Sequence, residues 1–280
     1  MQRNLAPEDL ARDRRFNRVS TAERFADKRP LGDERRVDPK AADVGDRARR
    51  TMHGIFVGEI QALEGAGRTC FDFDTASGTT GTNGPDAVPF ALKLDMARQC
   101  WDEARHVEIS LKLGDHMGTE VGEFAENTTL FEAACHPDAV FRLAGVNRAL
   151  EGLAIDVFTG MRDFGDRMGD PVLRFCEDWM LADEVTHVRM GSTWLRTVTE
   201  GDPDRRSAAL EFQRTVDTLF NFRGLRGDDE GSAIRLARRF REMAGFSTDE
   251  IEAIAESAAT ERAEVEERSA GGTILTAAAS

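Results

Sequence analysis

DEARH (102–106) and DEVTH (183–187) repeat one pattern, Asp-Glu-x-x-His, in two distant parts of the chain. The chain has five histidines, and two of them end this pattern. Residues three apart on an α-helix share one face, with Cβ atoms about 5–6 Å apart, so each Glu and His can reach one metal ion. A carboxylate with an imidazole suits iron, manganese or zinc. A surface Glu–His hydrogen bond is the alternative, but coincidence does not readily explain its repetition.

Two further ligands are predicted on other helices. At about 100° per residue, Glu59 lies in the apolar stripe that contains Met52 and Ile55, and Glu151 lies in the stripe that contains Phe158. A carboxylate in such a stripe is costly unless a cation meets it, and a buried arginine is the alternative to a metal. A metal pair accounts for both glutamates and both repeated motifs. The predicted metal-ligating and catalytic residues are Glu59, Glu103, His106, Glu151, Glu184 and His187.

The aspartate that begins each motif is a candidate for orienting a histidine. Metal-bound histidines usually donate their free N–H to a carboxylate, which fixes the ring. Asp102 can pair with His106 on its own helix, and Asp183 with His187. The crossed pairing, Asp102 with His187 and Asp183 with His106, is the alternative, and spacing alone leaves both open. Glu177, two helical turns before Glu184 and about 20° from it, is a candidate proton relay, channel gate or salt-bridge partner.

Charge and composition exclude several classes of function. The net charge of −14 disfavours a nucleic-acid partner, because phosphate binding requires a basic face. No run of about 18 apolar residues occurs, so we expect no membrane span and no membrane partner. The first twenty residues lack the apolar stretch of a secretory signal, and the four cysteines lack CxxC spacing. We therefore expect a cytoplasmic protein with reduced thiols.

Helical periodicity dominates and strand signals are nearly absent, which predicts an all-α fold class. Helices are predicted at about 41–68, 86–113, 119–134, 137–167, 171–198, 206–221, 231–244 and 248–265. Two long pairs, 41–113 and 137–198, each end in one of the motifs, as expected for a four-helix bundle. The predicted domains are an N-terminal arm (1–40), the bundle (41–200), C-terminal helices packed on it (201–266) and a flexible tail (267–280).

The order of the predicted ligands resembles the ferritin-like di-iron carboxylate superfamily, with Glu, ExxH, Glu and ExxH on successive helices. RALEGLAIDVFTGM (148–161), GDPVLRFCEDWMLADEVTHVRMGSTWL (169–195) and REMAGF (241–246) are similar to an uncharacterised bacterial ferritin-like family, over roughly residues 50–245. The resemblance implies a ferritin-like four-helix bundle with two iron ions that activate O2, and an iron–manganese pair is the variant. It also favours the crossed pairing of Asp102 and Asp183, because the equivalent aspartates often contact the opposite histidine.

Differences between this sequence and the pattern of the superfamily disfavour some activities of its members. The chain has no tyrosine, which excludes a tyrosyl radical cofactor. Many hydroxylases of the superfamily carry a hydroxyl residue one turn after the third-helix glutamate, and this chain has Ile155 there. Iron-storage cages are built from much shorter chains, so the arm and the C-terminal helices argue against storage.

The leading hypothesis is a non-haem di-iron oxidase or monooxygenase that uses O2 to oxidise a small organic substrate. The alternative is a ferroxidase, peroxide-scavenging or iron-handling protein without an organic substrate. Hydroxylation of transfer RNA is disfavoured by the negative charge. A ferritin-like scaffold with an incidental metal site is the non-enzymatic alternative. An external reductase and a homodimer through the outer helices are the further partners that we expect.

Overall fold

A computed structural model of the chain describes residues 17–18, 44–76, 87–126, 128–222, 225–229 and 232–277. Most of these residues are helical, and the strands are pairs of two or three residues, in agreement with an all-α class. Apart from residues 17–18, the predicted N-terminal arm lies outside the described residues, as does the short helix expected within it. No helix among the described residues combines the length and apolar character needed to cross a membrane.

The first long pair consists of α1 (Val44–Asp72) and α2 (Phe90–Met117), which run antiparallel. Arg49 near the start of α1 donates to the carbonyl of Gly118 just after α2, while Cys70 near the end of α1 donates to the carbonyl of Lys93. Strands β2 (Asp74–Ala76) and β3 (Ala87–Pro89) pair next to the connection between the two helices. The pair therefore brings the middle of α1 against the middle of α2.

The segment after α2 is less helical than its sequence predicts. Gly118 ends α2 in the left-handed region (φ 74°), and only α3 (Thr129–Ala134) is helical within the predicted 119–134. Strand β4 (Ala125–Glu126) lies between them and pairs with β1 (Asn17–Arg18). The predicted helix over 119–134 is thus wrong for its first half. Gly118 and Gly122, both with positive φ, favour a turn there.

The predicted continuous helix 137–167 is divided into three parts. Asp138 accepts a hydrogen bond from the backbone N–H of Val140 and begins α4 (Ala139–Arg142). A π-helical segment, Leu143–Leu150, follows, and α5 (Glu151–Met168) continues from it. Every residue of the π-helical segment is buried, because helices pack around it on several sides. A Cβ at Gly145 would collide with Phe212, so glycine permits this close packing.

The second long pair consists of α5 and α6 (Pro171–Val198). Asp170 caps α6 by accepting hydrogen bonds from the backbone N–H groups of Val172 and Leu173, and Pro171 occupies the first turn. Arg162 near the end of α5 is paired with Asp178 near the start of α6, so these helices are antiparallel. α6 follows the predicted 171–198 closely.

The C-terminal part contains α7 (Pro203–Leu219), strands β5 (Arg226–Gly227) and β6 (Ile234–Arg235), α8 (Arg238–Met243) and α9 (Thr248–Ala277). The predicted helix over 231–244 is wrong before residue 238, where β6 pairs with β5. α9 continues beyond its predicted end near residue 265, into the segment predicted to be a flexible tail. The predicted division into domains stays a prediction.

A buried ion-pair network connects this part to α5. Asp156 accepts hydrogen bonds from the guanidinium groups of both Arg226 and Arg241, and all three side chains are fully enclosed. Arg226 also donates to Asp217 of α7. The opposite charges in this network compensate one another, because a carboxylate or guanidinium buried without a partner would destabilise the fold.

Two apolar clusters lie on either side of a polar layer. The Phe158 cluster includes Met52, Ile55, Leu113, Ile155, Phe158 and Met180, which come from all of α1, α2, α5 and α6. The Leu143 cluster includes Phe73, Leu92, Met96, Val140, Leu143 and Leu195. Along α1 and α2, the segments between these clusters carry Glu59, Glu103 and His106. On α6, Glu184 and His187 alternate with Leu181, Val185 and Val188 of the Phe158 cluster.

Candidate metal centre

The structure brings all the predicted ligand side chains together in the polar layer. Glu59 comes from the middle of α1, and Glu151 is the first residue of α5. The ExxH pairs lie on α2 and α6, where the helical spacing directs both side chains of each pair to one face. None of the six side chains is more than 5% exposed: Glu59, Glu103, His106, Glu151, Glu184 and His187.

These side chains form two overlapping groups. One group is Glu59, Glu103, His106 and Glu184, and the other is Glu103, Glu151, Glu184 and His187. Within each group, one ligand atom from every residue lies within 4.8 Å of the others. Each group can therefore hold a metal ion. Glu103 and Glu184 belong to both groups, so these two carboxylates would contribute to holding either ion.

Each histidine directs its Nδ1 atom to the centre of the polar layer. His106 Nδ1 lies 3.0 Å from Glu59 Oε2 and 3.2 Å from Glu184 Oε1. His187 Nδ1 lies 3.1 Å from Glu103 Oε1. A neutral imidazole in this orientation can offer the Nδ1 lone pair to a metal while the Nε2 atom keeps its proton.

The Nε2 atoms contact the aspartates of the opposite motif. His187 Nε2 lies 3.3 Å from Asp102 Oδ2, and His106 Nε2 lies 3.4 Å from Asp183 Oδ2. The structure thus has the crossed pairing that the resemblance favours, and not the pairing within one helix. Arg105 hydrogen-bonds to Asp102 and lies 3.2 Å from Asp183, so one guanidinium connects both aspartates.

Several inward-facing atoms lack a hydrogen-bond partner among the described residues. They are Glu103 Oε2, both carboxylate oxygens of Glu184 and His187 Nδ1, whose ionic contacts at 3.1–3.2 Å lack hydrogen-bond geometry. Buried polar atoms are normally paired, and leaving one unpaired costs roughly 1–3 kcal/mol or more for a charged group. Atoms of the two shared glutamates and of one histidine would each gain a partner from a bound cation. The donor set therefore fits a metal ion, which these buried carboxylates and imidazoles could hold.

The pKa shifts divide the four glutamates into two pairs. Burial raises the pKa of Glu59 and Glu151 well above the ordinary value, and the charges of neighbouring carboxylates add to the effect. Burial also opposes ionisation of Glu103 and Glu184, but contacts with the two histidines outweigh it and lower the pKa of both. The shared glutamates are therefore the ionised ones when no metal is bound.

The two histidines have a raised pKa, which is opposite to the shift of Glu103 and Glu184. Burial opposes protonation of His106 and His187, yet the surrounding carboxylates raise the pKa of each ring well above its usual range. In the metal-free protein, the carboxylates thus favour the protonated form of both histidines, and the histidines favour the ionised form of Glu103 and Glu184. The protons at these positions are the ones that a bound cation replaces.

The comparisons with known proteins identify the family of the chain. A family model described as "Protein of unknown function (DUF455)" matches residues 8–252. The chain belongs to the DUF455 family. Neither the curated proteins nor the solved structures contain a match to it. The matched range of this DUF455 member includes both ExxH motifs, both single glutamates and both orienting aspartates.

The DUF455 chain also carries a polar contact at the centre that the sequence reasoning missed. Gln99 donates to Glu103 Oε1 at 3.1 Å and to Glu151 Oε1 at 2.8 Å, and Asn147 donates in turn to Gln99. Gln99 precedes Glu103 by four residues on α2, so its spacing was a usable signal. Asn147 lies in the π-helical segment, where periodicity of the ordinary α-helix does not predict direction.

Trp179 and Phe158 form part of the apolar surroundings of His106. Both rings meet the imidazole edge to face, with centroid distances of 5.8 Å and 6.4 Å. The guanidinium of Arg105 lies 4.6 Å from the Trp179 ring centroid, on the outer side of the site. Such packing restricts the orientation of His106 and excludes water from this side of the centre.

Proposed function

We propose that this protein is a non-haem di-iron oxidoreductase that uses O2 to oxidise a small organic substrate. The observation that carries the proposal is the pair of four-residue groups that share Glu103 and Glu184. Glu103 and Glu184 would help to hold both ions of a bound pair, which would supply two-metal chemistry toward one O2 molecule. The resemblance of the ligand order to the di-iron carboxylate superfamily supports the same activity.

The fold that we propose is a ferritin-like four-helix bundle with additional helices. Its four members are α1, α2, α5 and α6, each of which contributes ligands to one layer and apolar residues to the Phe158 cluster. Facing helices that supply Glu from two members and ExxH from the other two are the arrangement of bundle di-metal sites. The π-helical segment beside Glu151 fits this proposal, because such segments occur frequently at functional sites.

Iron is the metal that the donor set supports best, and an iron–manganese pair is the variant. Four carboxylates carry four negative charges, which two divalent ions neutralise. Carboxylate with imidazole, and no thiolate, favours hard to borderline divalent ions. When bound, the iron pair supplies electrons to O2 and the oxidising power that acts on the substrate.

The side chains of the protein orient the ligands and exclude bulk water from the centre. Glu103 and Glu184 hold the two ligand groups at a fixed separation, and Asp102 and Asp183 set the orientation of the imidazoles. The Phe158 and Leu143 clusters exclude bulk water from both sides of the layer, which strengthens electrostatic interactions within it. The long chain with its C-terminal helices supports an enzyme rather than a storage subunit. An external reductase would supply the electrons for repeated turnover.

Anaerobic loading with Fe(II), followed by rapid mixing with O2, tests the proposal. We expect an optical transient and O2 consumption that the Glu103→Ala/Glu184→Ala variant lacks. Oxidation of a small organic compound coupled to O2 uptake would support the oxygenase or oxidase. Turnover of Fe(II) with O2 or peroxide, without organic product from a broad set of compounds, would support the ferroxidase alternative. Loaded iron that shows no reaction with O2 would contradict both.

A further inference from the structure

Glu177 is a fully buried carboxyl group outside both ligand groups. It lies on α6, two turns before Glu184, and its side chain is 0% exposed. Neither of its carboxyl oxygens has a hydrogen-bond partner among the described residues. Leu173, Met180 and Leu181, its neighbours on α6, belong to the Phe158 cluster. A carboxyl group in these surroundings is costly, and nothing in the described packing of the fold explains it.

Ser110 is a second unpaired polar group in the same region. It is 0% exposed, it follows His106 by one turn of α2, and its hydroxyl oxygen has no partner among the described residues. The contact of His106 with Asp183 and that of His187 with Asp102 establish that α2 and α6 run antiparallel. Residues that follow His106 on α2 therefore lie beside residues that precede Asp183 on α6. Ser110 and Glu177 lie on this same side of the centre, about two residues, or roughly 3 Å, apart in register along the helix axes.

The protonation state of Glu177 follows from these surroundings. Burial raises the pKa of its carboxyl group well above the ordinary value, and the opposing charge of nearby His106 does not offset the effect. The group is therefore a neutral acid that can donate one proton. No arginine or lysine among the described residues forms a salt bridge with it, so the salt-bridge alternative is not supported.

We propose that Glu177 and Ser110 form a proton-transfer site that delivers protons to the metal centre from the His106 side. Two buried polar groups at this spacing suit one or two internal water molecules, which bind where several polar partners converge. The inference rests on the proposed function, because reduction of O2 takes up protons together with electrons from an external reductant. In each transfer the Glu177 O–H bond breaks, and the proton passes through water and the Ser110 hydroxyl to oxygen undergoing reduction. The carboxylate left behind is unfavourable among apolar side chains and regains its proton from solvent.

The neutral acid can be tested by infrared spectroscopy without any turnover. We expect a carboxylic acid C=O band in the wild-type protein that Glu177→Gln lacks. Asp178→Asn is the matched control, because it removes the adjacent but exposed carboxylate of α6 and should leave the band in place. A difference spectrum between wild type and Glu177→Gln without such a band would overturn the inference. Should Glu177→Gln fail to fold, Glu177→Met removes the acid without introducing a new polar group.

Metal content and the reaction with O2 complete the test. Glu177→Gln should bind as much iron as the wild type but react with O2 roughly 100-fold more slowly, the loss typical of a missing acid. Glu177→Asp should recover part of the rate, and Ser110→Ala should reduce both the rate and its solvent isotope effect. A wild-type rate in Glu177→Gln with full metal content would overturn this inference and leave the proposed function intact. A wild-type protein that binds no metal would overturn both, even if the infrared band were present.

Discussion

His187 Nε2 lies 3.3 Å from Asp102 Oδ2, although the two residues belong to different helices of different pairs. The reciprocal contact joins His106 to Asp183. Each ExxH helix thus supplies the carboxylate that orients the histidine of the other. Neither helix can rotate without disturbing both imidazoles, so the orientation of the rings is established by the fold before a metal binds.

The crossed contacts predict which metal position each aspartate supports. Asp102→Asn should weaken binding at the Glu151/His187 position by roughly 10- to 100-fold, because the ring of His187 loses its charged acceptor. Asp183→Asn should act on the Glu59/His106 position instead. Titration with a chelator, followed by the spectrum of a substituted cobalt ion, distinguishes the two positions. Equal weakening of both positions by Asp102→Asn would contradict the crossed assignment.

The overlap of the two ligand groups predicts unequal effects of four glutamate substitutions. Glu59→Ala and Glu151→Ala each remove a ligand of one group and should leave about one metal ion per chain. Glu103→Ala and Glu184→Ala remove a ligand of both groups and should bring retained metal close to zero. Metal content measured against Glu64→Ala, on α1 but outside both groups, tests this order. Identical losses for all four variants would show that no carboxylate is shared.

The pKa shifts predict that metal binding releases protons. Glu59, Glu151, His106 and His187 have a raised pKa in the metal-free fold, so the protonated form of each is favoured and ligation must displace its proton. Affinity should therefore rise with pH until these groups lose their protons without metal. Calorimetric titration in buffers of different ionisation enthalpy measures the release directly. Binding that is independent of pH and buffer would mean that the ligands are already deprotonated.

The buried network around Asp156 predicts a large effect on stability away from the centre. Asp156→Ala should lower the free energy of unfolding by about 3–5 kcal/mol, because it leaves Arg226 and Arg241 buried without their common carboxylate. Denaturant unfolding measures the change, with Asp163→Ala on the exposed side of α5 as the control. A loss no greater than that of the control would show that the two arginines find other partners. Metal content per folded chain should remain unchanged.

Sequence alone identified the side chains of the centre because helical spacing constrains them strongly. Glu103 with His106, and Glu184 with His187, are three residues apart, and the helices keep each pair on one buried face. Glu59 was found because a carboxylate inside an apolar stripe is costly without a cation. Their ligand role remains a prediction, but the structure does bring them together.

Features that depend on tertiary packing were not predictable in this way. An angle of 100° per residue does not apply within the π-helical segment, so only residues after Glu151, such as Phe158, give a valid reference for its direction. The partners of Asp156, Arg226 and Arg241, are distant from it in sequence, so local spacing does not predict these contacts. Gly118 and Gly122, both with positive φ, interrupt a helix that local composition favours.

Metal content of the wild-type protein tests the central claim most directly. The purified chain is loaded anaerobically with Fe(II), freed of excess metal and analysed by inductively coupled plasma mass spectrometry. Two overlapping ligand groups predict about two iron ions per chain, lost in Glu103→Ala/His187→Ala. A folded wild-type protein that retains no metal after loading would contradict the account, and the repeated Asp-Glu-x-x-His motif would then be a structural network of buried ion pairs.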